Sequence, residues 1–167
     1  MLRASTHQAG APGNGAQLAA MQLAGMHRAM RDTFGPLAAS GPLAEAGRRA
    51  AAGLLRTIPL PEQARRRRLP RAVSTRMLLA ALRRWAPRFA ATDRRFTASG
   101  GSKPVLIIAA NPLCDERPRG TRVCAWHEAL FETLFQALVS PDARVREVTC
   151  LALGDPECRF EVTFDAD

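Results

Sequence analysis

The chain has 167 residues, a formal net charge of +9, 47% hydrophobic residues and 23% charged ones. That length suits one core with a helical addition, and the composition belongs to a globular chain rather than a disordered one. No apolar run reaches the roughly 18 residues of a membrane-spanning helix, and no charged segment followed by an apolar stretch marks a secretory signal, so the cytoplasm is the expected compartment. The charge is uneven: residues 1–100 carry 17 basic and 4 acidic side chains, and residues 101–167 carry 7 and 11. Nearly all of the positive charge is arginine, 23 Arg against Lys103 alone, a compositional bias that discounts individual arginines as functional signals. A basic half can meet nucleic acid, anionic lipid or an acidic ligand, or it can be a solvated helical surface. No nucleic-acid motif accompanies it, so a nucleic-acid partner is not expected.

Residues 1–16 are small, polar and rich in Gly and Pro, and read as a disordered tail. Residues 17–92 read as a helical region. Its first helix runs from Gln17 to Phe34, with Leu18, Met21, Met26 and Met30 as a loose apolar stripe, and ends at Gly35-Pro36. A second runs from Leu43 to Leu55. Arg65 to Arg68 lie between Pro61 and Pro70 and are expected as an exposed connector, because four adjacent like charges resist burial. The clearest helix here spans 72–90, where Leu78, Leu82, Trp85 and Phe89 share one face.

Residues 93–167 change period. Arg95 to Ala98 and Val105 to Ala110 read as strands around a Ser99-Gly100-Gly101-Ser102 turn. A polar loop over 113–123 leads into a helix from about Val123 to Val139, whose buried face is Trp126, Leu130, Phe131, Leu134, Phe135 and Leu138. Arg144 to Leu153 and Arg159 to Phe164 alternate as strands about the Gly154-Asp155-Pro156 turn. The fold class is therefore α+β: an antiparallel sheet of about four strands with helices packed on one face, and the helical region packed with it as one domain.

Cys114, Cys124, Cys150 and Cys158 carry the chemistry. Cys150 and Cys158 flank a hairpin turn, so both thiols can approach one point. Glu147 lies three residues before Cys150 and nominally faces the other way, so a bulge is needed to bring its carboxylate round. Cys124 stands at the start of the long helix, where the helix dipole favours a thiolate. Three thiolates and a carboxylate suit zinc. The spacing alone also admits reduced core cysteines or a disulfide. Cys114 is left over as a loop thiol, a spare ligand or a ligand contact.

The segments Asn111-Pro-Leu-Cys114, Cys124-Ala-Trp-His-Glu, Arg144-Val-Arg-Glu-Val-Thr-Cys150 and Gly154-Asp-Pro-Glu-Cys158-Arg-Phe-Glu-Val162 resemble the 4-vinyl reductase domain of bacteriochlorophyll biosynthesis. The same domain is the aromatic-sensing input of some bacterial activators of phenol degradation. In those sensors zinc is held by a Cys, a Glu three residues before a second Cys, and a third Cys eight residues beyond the second. Residue by residue, the resemblance implies a structural zinc on Cys124, Glu147, Cys150 and Cys158. Upstream, the helix with Arg48-Arg49 and the Pro-rich connector resemble the bacteriochlorophyll 4-vinyl reductase proteins, which carry a longer N-terminal region.

The family label implies reduction of a vinyl group on a magnesium tetrapyrrole. Hydride delivery needs a cofactor, and no dinucleotide fingerprint for NAD or FAD follows a strand here. A zinc closed by four protein ligands is structural rather than catalytic. The resemblance therefore favours a carrier or accessory factor that binds a magnesium porphyrin intermediate. Trp85, Phe96, Trp126 and Phe131 would wall the ligand, His127 would be a candidate for its magnesium, and arginines would pair with its carboxylates. A reductase acting directly on the divinyl pigment, and an aromatic-sensing module, are the alternatives. The resemblance also implies a homodimer, pigment-synthesis enzymes as partners, and a cytoplasmic place at the periphery of photosynthetic membranes.

Overall fold

A computed structural model describes residues 14–90, 96–114 and 120–165. The first helix begins at Asn14, inside the span expected as a tail. The rest of that tail, and most of the polar loop expected over 113–123, lie outside the described residues. No described helix is long and apolar enough to cross a membrane.

Helix α1 (Asn14–Phe34) runs to Gly35, whose φ of +82° turns the chain, and Pro36 opens α2 (Pro36–Leu55). The face α1 buries is not its expected stripe. Leu18, Met21 and Met26 are 56%, 62% and 49% exposed, whereas Ala20, His27 and Arg31 are buried. Two features select that face. Ala20 allows close approach to the neighbouring elements, and the Arg31 guanidinium donates to the Leu113 carbonyl at 2.9 Å.

In α2 the buried residues recur every four positions: Ala39, Leu43, Gly47 and Ala51. This is a ridge of mostly small side chains that lets another helix approach closely. The helix starts well before the expected Leu43, because a proline at the first helical position loses no intrahelical bond.

The Arg65–Arg68 run is not a connector but the end of α3 (Leu60–Arg67), with Arg68 as its cap. Glu62 accepts ion pairs from Arg65 and Arg66 at 3.3 and 3.1 Å. Arg67 donates to the Ala137 carbonyl at 2.7 Å. The charges stay near the surface as expected, but they stabilise a helix C-terminus through its dipole. Helix α4 (Arg71–Trp85) buries Ser74, Thr75, Leu78, Leu79 and Leu82. It stops short of the expected residue 90, since Pro87 sits in the 3-10 turn Ala86–Arg88 and offers no N–H to continue the ladder. Phe89 is buried beyond that turn and Trp85 is half-buried.

Strands β1 (Phe96–Ser99), β2 (Val105–Ile108), β3 (Arg144–Thr149) and β4 (Cys158–Thr163) form one antiparallel sheet in the order β1-β2-β4-β3. Two hairpins thus join edge to edge through β2 and β4. Alternation puts Phe96, Ala98, Leu106, Ile108, Val145, Glu147, Cys158, Phe160 and Val162 on the buried face. Helix α5 (Ala125–Leu138) buries Trp126, His127, Leu130, Phe131, Leu134, Phe135 and Leu138, and packs closely against α2 and β3. A single apolar cluster runs from α2 and α4 through α5 to all four strands. The architecture is α+β, as the alternation implies.

Candidate metal centre

Four loops and element ends converge at one end of the buried sheet face. Cys114 closes a turn in which its N–H donates to the Asn111 carbonyl at 3.1 Å. Cys124 is the N-cap residue of α5. Cys158 opens β4 opposite Ile108. Cys150 follows β3, where the strand ends earlier than the expected Leu153 and Leu151–Leu153 coil into a 3-10 turn.

That ending has a local cause. Gly154 adopts φ +93°, a conformation that a side chain disfavours. Asp155 then turns its carboxylate back to accept the Cys150 N–H at 2.7 Å. The Gly-Asp-Pro motif is thus an Asx-type clamp on the cysteine that precedes it.

A register shift separates Glu147, paired with Phe160, from Thr149, paired with Arg159. Val148 is the extra residue and is 37% exposed. A bulge of this kind reverses the alternation, so Glu147 and Cys150 both point inward although three residues separate them. The bulge is held from two sides. The Glu147 N–H donates to the Glu128 carboxylate at 2.6 Å, and the Arg122 guanidinium donates to the Glu147 carbonyl.

All four cysteines are free thiols, and their sulfurs lie within 4.8 Å of one another. The Cys114 sulfur is 3.6 Å from that of Cys124 and 3.5 Å from that of Cys158. The Cys124 sulfur is 3.6 Å from Cys158 and 4.0 Å from Cys150. Four sulfurs bonded at about 2.3 Å to one tetrahedral zinc ion would stand roughly 3.8 Å apart. The observed separations bracket that edge, so the donor set fits a single ion.

The electrostatics ask for a cation. Hydrogen bonds from the neighbouring thiols hold Cys150 and Cys158 well below the usual thiol range, and the same cluster with its burial holds Cys124 and Cys114 above it. Burial pushes the Glu147 carboxyl up to about 10, beside the sulfurs of Cys124 and Cys150. Its Oε1 is buried and finds no hydrogen-bond partner among the described residues. Several buried anionic donors around one point can ionise together only with a positive ion between them.

Behind the sulfurs lies a polar relay that sequence reading missed. Asn111 is buried, and its Oδ1 accepts the Leu113 N–H at 3.0 Å, which fixes the orientation of the amide. Its Nδ2 then serves both the Cys124 sulfur at 3.2 Å and His127 Nδ1 at 3.4 Å. His127 Nε2 lies 3.3 Å from the Phe89 carbonyl, an acceptor only, so Nε2 carries the proton and Nδ1 accepts. Burial lowers the His127 pKa to about 3, which keeps the ring neutral. The only hint in the sequence was Asn111-Pro112, read there as the end of a strand.

Of the residues expected to wall a ligand, Phe96, Trp126, His127 and Phe131 are brought into one aromatic cluster, and Trp85 lies half-buried at its margin. Phe89 and Phe160 complete the cluster, with Phe89–Phe96 centroids at 5.2 Å and Phe131–Phe160 at 5.3 Å. Helix α1 covers the outer side, where the His27 ring meets the edge of Trp126 at 5.9 Å. An open groove elsewhere, lined by Ala52, Leu55, Arg56, Ile58, Leu60 and Gln63, involves none of these residues.

With the geometry in place, similarity to known proteins becomes informative. Residues 104–164 match the 4-vinyl reductase domain family. The chain is 39% identical over 145 residues to the bacteriochlorophyll synthase 23 kDa chain of Cereibacter sphaeroides, covering 84% of this chain and 68% of that one. The chain belongs to the bacteriochlorophyll synthase 23 kDa chain family. A second relative of that name, from Rhodobacter capsulatus, is 35% identical over 95 residues, and the match spans only 42% of its length.

Solved structures show that members of this family share a fold with more distant proteins. The phenol-responsive sensory domain of the transcription activator PoxR, solved with phenol, aligns at a TM-score of 0.51 with 15% identity, over 87% of this chain and 74% of that one. A trafficking protein particle complex subunit 3 from Naegleria fowleri, covalently bound to palmitic acid, aligns at 0.59 with 14% identity, over 91% and 96%. At such identities the likeness concerns the fold alone.

Proposed function

We propose that this chain serves bacteriochlorophyll synthesis as a binding protein: it holds a magnesium tetrapyrrole intermediate, as carrier or accessory factor for vinyl reduction, around a structural zinc centre. The observation that carries this reading is the closed donor set. Cys124, Cys150 and Cys158 supply three ligands from three separate elements, and Glu147 or Cys114 supplies the fourth. A zinc enclosed in this way binds the end of the sheet to α5, and it has no open position at which to polarise a substrate. Metal closure of this kind contributes on the order of 10 kcal/mol to folding.

The tetrapyrrole is proposed to bind at the aromatic cluster, with Trp85, Phe96, Trp126 and Phe131 as its walls and His127 beside them. Because those walls pack on one another and under α1, binding requires α1 to lift. The construction of α1 supports this route. Its inner face places His27, fully buried, against Trp126 with neither ring nitrogen hydrogen-bonded among the described residues. Such a contact is weak, since each unmade buried bond costs about 1–3 kcal/mol. The relatives' name, chains of a bacteriochlorophyll synthase, supports a pigment-synthesis enzyme as the protein to which the intermediate is passed.

Two measurements on the purified protein test the reading. Elemental analysis should find one zinc per chain. Titration into magnesium protoporphyrin should shift and saturate the Soret band. No shift at tens of micromolar protein overturns the carrier role, and a metal-free but folded protein overturns the zinc centre.

A further inference from the structure

The centre holds one donor more than a tetrahedral ion can use. Three of the five are fixed by their surroundings. Cys124 caps α5 and receives the Asn111 amide at 3.2 Å. Cys150 is clamped by Asp155 at 2.7 Å, and Cys158 lies within the β2–β4 ladder. All three are 0% exposed. The remaining two are unlike them and unlike each other. Cys114 sits on a short turn and is half-buried, the one thiol of the four with an exposed side. Glu147 has a backbone fastened at both N–H and carbonyl, while its Oε1 is buried without a partner.

Distances rank the two. The Cys114 sulfur already stands at 3.5 and 3.6 Å from two of the fixed sulfurs, near the roughly 3.8 Å edge of a zinc–sulfur tetrahedron. Glu147 is not part of the group whose donor atoms all lie within 4.8 Å of one another, yet its carboxyl borders Cys124 and Cys150. Resting on the metal-binding reading above, we propose that Cys114 is the fourth ligand of the resting centre. Glu147 is then a reserve ligand that occupies the position when the Cys114 sulfur is withdrawn. One singly charged donor replaces another, so the ion keeps four ligands and the filled centre keeps its charge. The solvent-facing thiol can therefore be taken from the metal without loss of the metal or the fold.

Cobalt(II) loaded in place of zinc tests this, because its sulfur charge-transfer and ligand-field bands report the number of thiolate donors. The wild-type chain should show a four-sulfur spectrum, and Glu147→Gln should leave it unchanged. Cys114→Ser should keep one cobalt per chain, with charge-transfer intensity down by about a quarter and the spectrum of a site with three sulfurs and one oxygen. The double variant Cys114→Ser/Glu147→Gln should lose at least the ~100-fold in affinity that loss of a supporting partner brings. The proposal is overturned if Cys114→Ser has the wild-type spectrum, if Glu147→Gln alters it, or if folded Cys114→Ser has lost its cobalt. A wild-type chain that takes up neither cobalt nor zinc overturns the metal-binding reading as well, which separates the two failures.

A second measurement needs no variant. Iodoacetamide on the zinc-loaded wild-type chain should alkylate Cys114 alone, located by peptide mass spectrometry, with zinc retained. Alkylation accompanied by release of the metal, or at one of the other three cysteines first, also overturns the proposal.

Discussion

Gly47 of α2 lies against the backbone of Trp126 in α5 so closely that a Cβ built on Gly47 would stand 2.2 Å from the Trp126 carbonyl oxygen. Alanine normally stabilises a helix interior by about 1 kcal/mol relative to glycine. Here the added methyl meets backbone that cannot swing aside. Gly47→Ala is expected to part α2 from α5 and to destabilise the chain by roughly 2–3 kcal/mol, the upper range of overpacking. Urea unfolding followed by circular dichroism checks this. A neutral or stabilised variant would show that the two helices separate without penalty.

Asp155 is expected to matter more to the centre than its distance from the sulfurs suggests. Its carboxylate holds the Cys150 N–H at 2.7 Å, and Asp155 N–H returns a bond to the Cys150 carbonyl at 3.3 Å. Asp155→Ala leaves a buried donor unmet and frees the turn that orients the Cys150 sulfur. Stability should fall by about 1–2 kcal/mol, and zinc affinity by 10- to 100-fold, the usual effect of losing a ligand's supporting partner. Competition with a chromogenic chelator measures the second quantity.

What could be read in the sequence follows from where the determining forces lie. Helix α5 and the alternation of β4 were legible because their burial pattern repeats locally at 3.6 and 2 residues. The Gly154-Asp155-Pro156 turn was legible because its bonds close within six residues. The bulge could be anticipated as a condition, since Glu147 and Cys150 cannot otherwise share a face. The inward face of α1 was not legible. It is chosen by Arg31 reaching the Leu113 carbonyl and by the small Ala20, partners far apart in the chain, and that choice outweighs the methionine stripe. Cys114 and Asn111 were likewise hidden: nothing in their own segment shows that the 111–114 turn folds back over the N-terminus of α5.

Acid should destabilise the fold through two buried histidines. Burial, then the nearby Arg31 charge, lowers the His27 pKa to about 4, and burial lowers that of His127 to about 3. Both lie below the unfolded value of about 6.5. The unfolded chain therefore binds protons that the native chain refuses. Stability is complete above about pH 6.5 and declines as the pH falls toward 4 and then 3, by roughly 1.4 kcal/mol per pH unit for each histidine. Urea midpoints measured across this window should show that slope. In His27→Leu the slope should be shallower by one proton, even though loss of metal in acid steepens both curves. Equal slopes would mean that His27 titrates normally in the native state.

The same substitution separates the proposed access route from any other. At neutral pH, His27→Leu keeps the volume that packs against Trp126 and removes two ring nitrogens that lack partners among the described residues. It should stabilise the chain by about 1 kcal/mol. If α1 must lift before a magnesium tetrapyrrole reaches Trp126 and Phe131, that gain is confined to the closed form. The competent population then falls by the corresponding factor, about fivefold, and apparent affinity and association rate fall with it. Stopped-flow mixing with magnesium protoporphyrin, read at the Soret band, gives both quantities. A more stable His27→Leu chain that binds as fast and as tightly as wild type would mean that the pigment does not pass beneath α1, and the walls assigned to Trp126 and Phe131 would have to be abandoned.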